Sequence, residues 1–185
     1  MSGDGEAPGS FRKLWSGDRS AFRNHLLRLD GESRRLRFGV PVADSFIDDY
    51  AMTAFRLDTI MIAYFEDHQI RAAAELRGLS FAFTPAAEAA ITVETAWRNR
   101  GLGSHLMDRL LVTAQNRHVS QIYMICLRDN GAMQHVAQKF GARLRFEQDE
   151  VVGKLDPAWP TPASLMQEGW HDANGFVTAV IEWPQ

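Results

Sequence analysis

Seven consecutive residues carry the strongest chemical signal in this chain: Arg98-Asn99-Arg100-Gly101-Leu102-Gly103-Ser104. Gly101 and Gly103 lack a Cβ, so the backbone can turn tightly there and a ligand can approach main-chain amides that a side chain would shield. A periodic apolar segment follows, and the first turn of a helix offers unpaired N–H donors at the positive end of its dipole. Arg98 and Arg100 add full charges at the same place. The stretch is expected to hold an anion such as a phosphate or pyrophosphate. Directly upstream, Ala89, Ala90, Ile91, Thr92 and Val93 form a β-prone run bounded by Glu88 and Glu94.

Two common phosphate-binding fingerprints do not fit. There is no third glycine for a dinucleotide-binding Gly-x-Gly-x-x-Gly, and no Gly-Lys-Ser/Thr of a P-loop. The pattern Arg98-x-x-Gly101-x-Gly103 resembles instead the acyl-CoA pyrophosphate loop of the Gcn5-related N-acetyltransferases, the GNAT family. The resemblance covers residues 88–142: strand, phosphate turn, helix, strand, Asn130-capped helix, then Phe140-Gly141. It implies an α/β GNAT fold, a mixed and twisted central β-sheet with helices on both faces. It also implies an acyltransferase that moves an acetyl group from acetyl-CoA to a primary amine by direct attack in a ternary complex.

On that resemblance Arg98, Asn99, Arg100, Gly101, Leu102, Gly103 and Ser104 hold the pyrophosphate. Ile91, Thr92 and Val93 run beside the pantetheine arm and offer a backbone N–H to the acyl carbonyl. Asn130 and Met133 join the cofactor set, although Asn130 also reads as a plain N-cap and Met133, like Met124, as core. An amine with a pKa of about 10.4 is mostly protonated at neutral pH, so a general base is needed. Glu88 is the first candidate, because it stands ten positions before Arg98, a spacing that matches the catalytic glutamate of bacterial protein-lysine acetyltransferase domains. Glu94 is the second. Both also read as exposed strand-end carboxylates.

One departure from the family pattern stands out. Many members carry a tyrosine seven residues after the asparagine, as acid toward the departing thiolate, and here that position is Ala137. Tyr123 and His135 are substitutes, against their plainer readings as core and surface. The departure keeps a second function open, an acyl-CoA sensor without turnover; a third is an interaction scaffold whose glycines are structural. Cys126, alone in an apolar strand, reads as a small hydrophobe rather than an acyl carrier. The run from Asn130 to Ala142 looks closer to protein-lysine acetyltransferases than to antibiotic-modifying members. A protein lysine or a small amine is therefore the implied acceptor.

The elements that must position these groups follow from periodicity. Residues 11–15 read as a first strand, and Asp18 as the cap of a helix carrying Phe22, Leu26, Leu27 and Leu29 and ending near Gly31. Residues 32–38 alternate basic and apolar side chains, and a second helix starts at Asp44 or Ser45. The GNAT resemblance implies that these two helices form one wall of the acceptor cleft, where Asp44, Asp48 and Asp49 would meet a cation or simply sit in solvent. Residues 59–66 and 69–78 form a hairpin about Asp67-His68. After a connection containing Pro85, the 88–94 strand leads through the turn into a helix with Leu102, Leu106, Leu110 and Leu111 on one stripe. Residues 121–127 are a buried strand, expected to pair in parallel with 88–94. Asn130 starts the next helix, and 143–148 and 150–155 close the sheet. Beyond Asp156, Pro157, Pro160 and Pro162 mark a linker, 164–171 a short helix and 176–183 a last strand. Residues 1–9 are expected to be a flexible tail, 10–156 the domain, and 157–185 an extension packed on it that completes the sheet, lines the cleft or builds a homodimer.

With 185 residues and 45% hydrophobic side chains, the chain can bury one sizeable core. A net charge of −3 gives no general attraction to nucleic acid or to an acidic membrane surface. One cysteine allows no internal disulfide, no Cys/His spacing suggests a metal, and no apolar run spans a bilayer. The expectation is a cytoplasmic protein that needs neither metal nor membrane.

Overall fold

The computed structural model describes residues 9–79 and 86–181, with side chains through residue 173. The expected tail up to residue 8, the Pro85 connection and the last two residues of the 176–183 strand lie outside these. A seven-stranded sheet runs through the molecule. Its strands are β1 (Ser10–Lys13), β2 (Thr59–Glu66), β3 (Gln69–Arg77), β4 (Ala86–Val93), β5 (Gln121–Leu127), β6 (Arg143–Phe146) and β7 (Glu150–Leu155), in the order β1-β2-β3-β4-β5-β7-β6. Every neighbouring pair is antiparallel except β4 and β5, which run parallel. The turn of the β2–β3 hairpin places Asp67 and His68 at φ 52° and 58°, the left-handed pair that matches the twist of the flanking strands.

Both faces of the sheet are covered, and β3 shows how. Ala72, Ala73 and Ala74 are all essentially inaccessible, and small side chains at the centre let helices approach from either side. Ala72 and Ala74 join Leu106, Met107 and Leu110 of α4 (Leu102–Asn116) in one core. Ala73 belongs to the other, with Phe22 and Leu26 of α1 (Arg19–Arg28) and Ile47 and Ala51 of α3 (Asp44–Ala54). The stripe expected on the helix after the glycine turn is the one buried here.

Two segments differ from the reading of the sequence. Residues 32–38 are not an alternating segment but a separate helix, α2 (Gly31–Phe38), and α1 ends before it at Arg28. Asp30 accepts a hydrogen bond from the Ser33 amide at 2.7 Å, and Gly39 closes the helix at φ 79°. The second difference is the tail, where residues 176–181 belong to a long helix, α6 (Pro162–Ile181), and add no strand to the sheet. Its start is strongly specified. Pro162 occupies the first position, the Thr161 hydroxyl accepts from the Ser164 amide, and the Ser164 hydroxyl accepts from the Thr161 amide, both at 3.0 Å. The helix lies beside β1 and α4, where Glu168 receives Lys13 at 2.8 Å and Asn116 at 2.7 Å. Among the described residues no helix is long and apolar enough to cross a membrane.

Candidate functional site

Among the described residues the strands β4 and β5 meet at three pairs, Ala86 with Gln121, Ala87 with Ile122 and Glu88 with Tyr123. Past Glu88, β4 stays with β3 as far as Val93, while β5 stays with β7 as far as Leu127. A wedge opens between them. The Glu94 amide donates to the Arg71 carbonyl at 2.9 Å, and donors alternate along an antiparallel ladder, so the amides of Ile91 and Val93 face the wedge. This exposed main chain borders a cavity of about 510 Å³, within the span of roughly 300–1,000 Å³ usual for small-ligand sites.

The glycine turn stands at the wide end of the wedge. Asn99 and Gly101 both take left-handed backbone angles, φ 61° and 77°, and such alternation points successive amides to one side. The first bond of α4 runs from the His105 amide to the Gly101 carbonyl at 3.0 Å, so the amides of Leu102, Gly103 and Ser104 precede the helical ladder and keep their donors. A Cβ placed on Gly103 would come no nearer than 3.5 Å to Val136. The protein tolerates a side chain there; what a side chain would obstruct is the approach of a ligand to the amide.

Of the twelve residues expected to contact a cofactor, eleven line this cavity: Ile91, Thr92, Val93, Arg98, Asn99, Gly101, Leu102, Gly103, Ser104, Asn130 and Met133. Arg100 does not. Its guanidinium turns outward, 3.9 Å from Glu66 and over the Trp97 ring. Asn130 caps α5 (Gly131–Lys139), accepting from the Met133 amide at 3.1 Å, while it also lines the cavity. The cavity also has walls that the sequence reading left out. Ser33, Leu36 and Arg37 of α2 face it from one side, His135 and Lys139 of α5 from the other. Helix α2 crosses the wedge like a strap, with Ser33 accepting from Arg98 at 2.7 Å at the β4 side. At the β5 side Arg35 meets Asp129, and the Leu36 carbonyl accepts from Asn130 at 3.5 Å. Thr95 donates to Asp30 at 2.6 Å, and the hydrogen bonds from Ser33 and Thr95 hold the Asp30 carboxyl down to about 2.

The profile of the acetyltransferase (GNAT) family matches residues 26–142. The chain belongs to the GNAT family. Solved structures agree on the fold. The GNAT domain of S. lividans PAT superposes with a TM-score of 0.69 at 20% identity, over 80% of this chain and 90% of that one. Spermidine N-acetyltransferase from Vibrio cholerae, in complex with CoA and spermine, gives 0.65 at 16% identity over 82% and 97%. A cAMP-binding acyltransferase from Mycobacterium smegmatis gives 0.58 at 22% identity; it covers 92% of this chain, which spans 51% of that protein. No curated protein sequence matches the chain.

Within this GNAT fold Glu88 of β4 and Glu94, the residue just after the strand, have opposite surroundings. Glu88 is exposed, at the vertex where β4 and β5 part, paired in register with Arg77 and Tyr123. Burial and the neighbouring Arg37 push the Arg77 guanidinium down to about 10, with Glu88 opposing them. Glu94 is buried, takes Arg28 Nε at 2.9 Å and His25 Nδ1 at 3.1 Å, and does not line the cavity. Burial pushes its carboxyl up, but the hydrogen bonds from His25 and Arg28 outweigh that and leave it below the usual range. Such a group is a fixed anion.

The substitutes for the missing tyrosine are placed as follows. Tyr123 is half-buried and donates to Gln121 at 2.8 Å, toward the start of β5 and away from the wedge. His135 is an exposed residue of the cavity wall. Ala137 is buried close to Gly153 of β7. The Cys126 thiol is buried and pushed up by burial and by the carboxylates of Glu150 and Asp129, which suits a core residue and not an acyl carrier.

Proposed function

We propose that this GNAT protein transfers an acetyl group from acetyl-CoA to a primary amine, a protein lysine or a small amine, by direct attack in a ternary complex. The observation that carries this reading is the continuity of one cavity from the amide-rich turn to the exposed main chain of the wedge. Leu102, Gly103 and Ser104 amides with Arg98 suit a diphosphate. The Ile91 and Val93 amides suit an extended arm that pairs as a strand does, and they suit the negative charge that develops on an acyl oxygen. Glu88, exposed at the vertex and outside the lining of this cavity, is in this reading the base that takes the proton of the attacking amine through water. The spermidine enzyme of like fold, which binds CoA and spermine, supports an amine acceptor. In this reading the main-chain donors supply the electrostatic stabilisation.

The test uses Gly103→Ala. The variant should fold with an unchanged melting temperature yet bind acetyl-CoA at least about tenfold more weakly by calorimetry, because the added methyl sits where the diphosphate approaches. Equal affinity in the variant overturns the placement. Ala137, where many relatives carry a tyrosine, favours a second reading, an acyl-CoA sensor. Binding of acetyl-CoA without thiol release across a panel of amines and lysine-bearing proteins would select the sensor over the enzyme.

A further inference from the structure

Next to the wedge lies a chain of three buried side chains drawn from α1, β4 and the residue that follows β4. Thr92 Oγ1 stands 2.9 Å from His25 Nε2, and His25 Nδ1 stands 3.1 Å from Glu94 Oε1. Glu94, fixed on its far side by Arg28 at 2.9 Å and Arg71 at 3.4 Å, is ionised and can only accept. The proton of neutral His25 is therefore on Nδ1, and the lone pair on Nε2 receives the Thr92 hydroxyl. A second acceptor for that hydroxyl, the Ala73 carbonyl, lies farther away at 3.3 Å. The order is nucleophile, base and orienting carboxylate, the arrangement that activates a hydroxyl for acyl transfer. Its first member borders the cavity, and the flanking amides of Ile91 and Val93 face the same space. The amine chemistry proposed above uses none of the three side chains.

We propose that Thr92 is a nucleophile toward the thioester, and that without an amine the protein hydrolyses acyl-CoA through an acyl-threonine. The Thr92 oxygen bonds to the acyl carbon as its proton passes to His25 Nε2. The carbon–sulfur bond then breaks, and the departing sulfur takes that proton, which fills the role left open by Ala137. Water attacks the ester next, giving a proton to Nε2; the ester bond to Thr92 breaks, the threonine oxygen recovers the proton, and the carboxylic acid leaves. Glu94 and Arg28 keep the imidazole in the one tautomer that can accept.

The proposal rests on the acetyl-CoA site described above, and its test separates the two. Protein and acetyl-CoA are mixed without any amine; free thiol is followed, and acid-quenched samples are weighed by intact mass and peptide mapping. An added acetyl group on the peptide holding Thr92, with thiol release, is expected for the wild type. Thr92→Val, which keeps the shape, should lose the adduct and slow release about a hundredfold at saturating acetyl-CoA. Thr92→Ser should keep the adduct. Binding without an adduct, an adduct on another residue, or equal release from Thr92→Val overturns the nucleophile and leaves the cofactor site standing. Absence of acetyl-CoA binding overturns both.

Discussion

The two ends of β4 place one residue type in opposite situations. At its start Glu88 is solvated beside a parting pair of strands; just past its end Glu94 is enclosed by His25, Arg28 and Arg71. A carboxylate that must gain and lose a proton during turnover needs access and few fixed donors, whereas one held by cations and an imidazole is worth most when it never changes. The same side chain is solvated at one position and locked at the other, and the difference lies in partners brought from α1 and β3, not in the strand itself.

Exchanging each carboxylate for its amide tests this contrast. Glu88→Gln should lower kcat for an amine acceptor by about a hundredfold or more at neutral pH, remove the acidic limb of the pH–rate profile and leave acetyl-CoA affinity unchanged. An unchanged profile takes Glu88 out of the reaction. Glu94→Gln should chiefly cost stability, about 3 kcal/mol by denaturant unfolding, because three cationic or polar donors lose a buried anion. If that variant were as stable as wild type but inactive toward amines, the two roles would be reversed.

The smallest effect is one of pH. Burial depresses His25 below its ordinary 6.5, against the pull of Glu94 and with the push of Arg28. Between the lowered value and 6.5 the unfolded chain binds a proton that the folded protein does not, so stability rises with pH across that window and falls on acidification through it. Glu94 adds a second loss at lower pH, since its carboxyl lies below the ordinary 4.5 and its contribution disappears as pH drops through the lowered value. Thermal melts from about pH 8 to about pH 5 should fall, and His25→Gln should fall less over the part of that range below 6.5. Parallel curves would place the titration elsewhere.

The legible parts of the molecule were those whose signal is local. A β-branched run, two glycines and a leucine stripe specify β4, the turn and α4 within a single stretch, and the Asn130 cap lies beside the helix it starts. Helix α2 was hidden because its apolar residues are few and its arginines are satisfied at a distance: Arg34 reaches the Leu27 and Leu29 carbonyls, and Arg37 reaches Glu75. Its own signals, Asp30 and Gly39, were present at the right spacing. Residues 176–181 have strand-like composition, but the Thr161–Ser164 caps and Pro162 start a helix that runs through them. The outward turn of Arg100 depends on the nearby Trp97 ring and on Glu66, which is distant in the chain. The meeting of His25 with Thr92 likewise joins residues separated by 67 positions, and no periodicity encodes contacts between a helix and a strand so distant.

Among the described residues the parallel seam is closed at residues 86–88 and open beyond them, so the sheet parts there into two leaves. A guest seated between them is mortar as well as reagent. If it binds only the folded form, a concentration a hundred times its Kd adds about 2.7 kcal/mol of stability. The abundance of this protein in a cell would then track the supply of acyl donor, with starvation thinning its numbers before it slows its turnover.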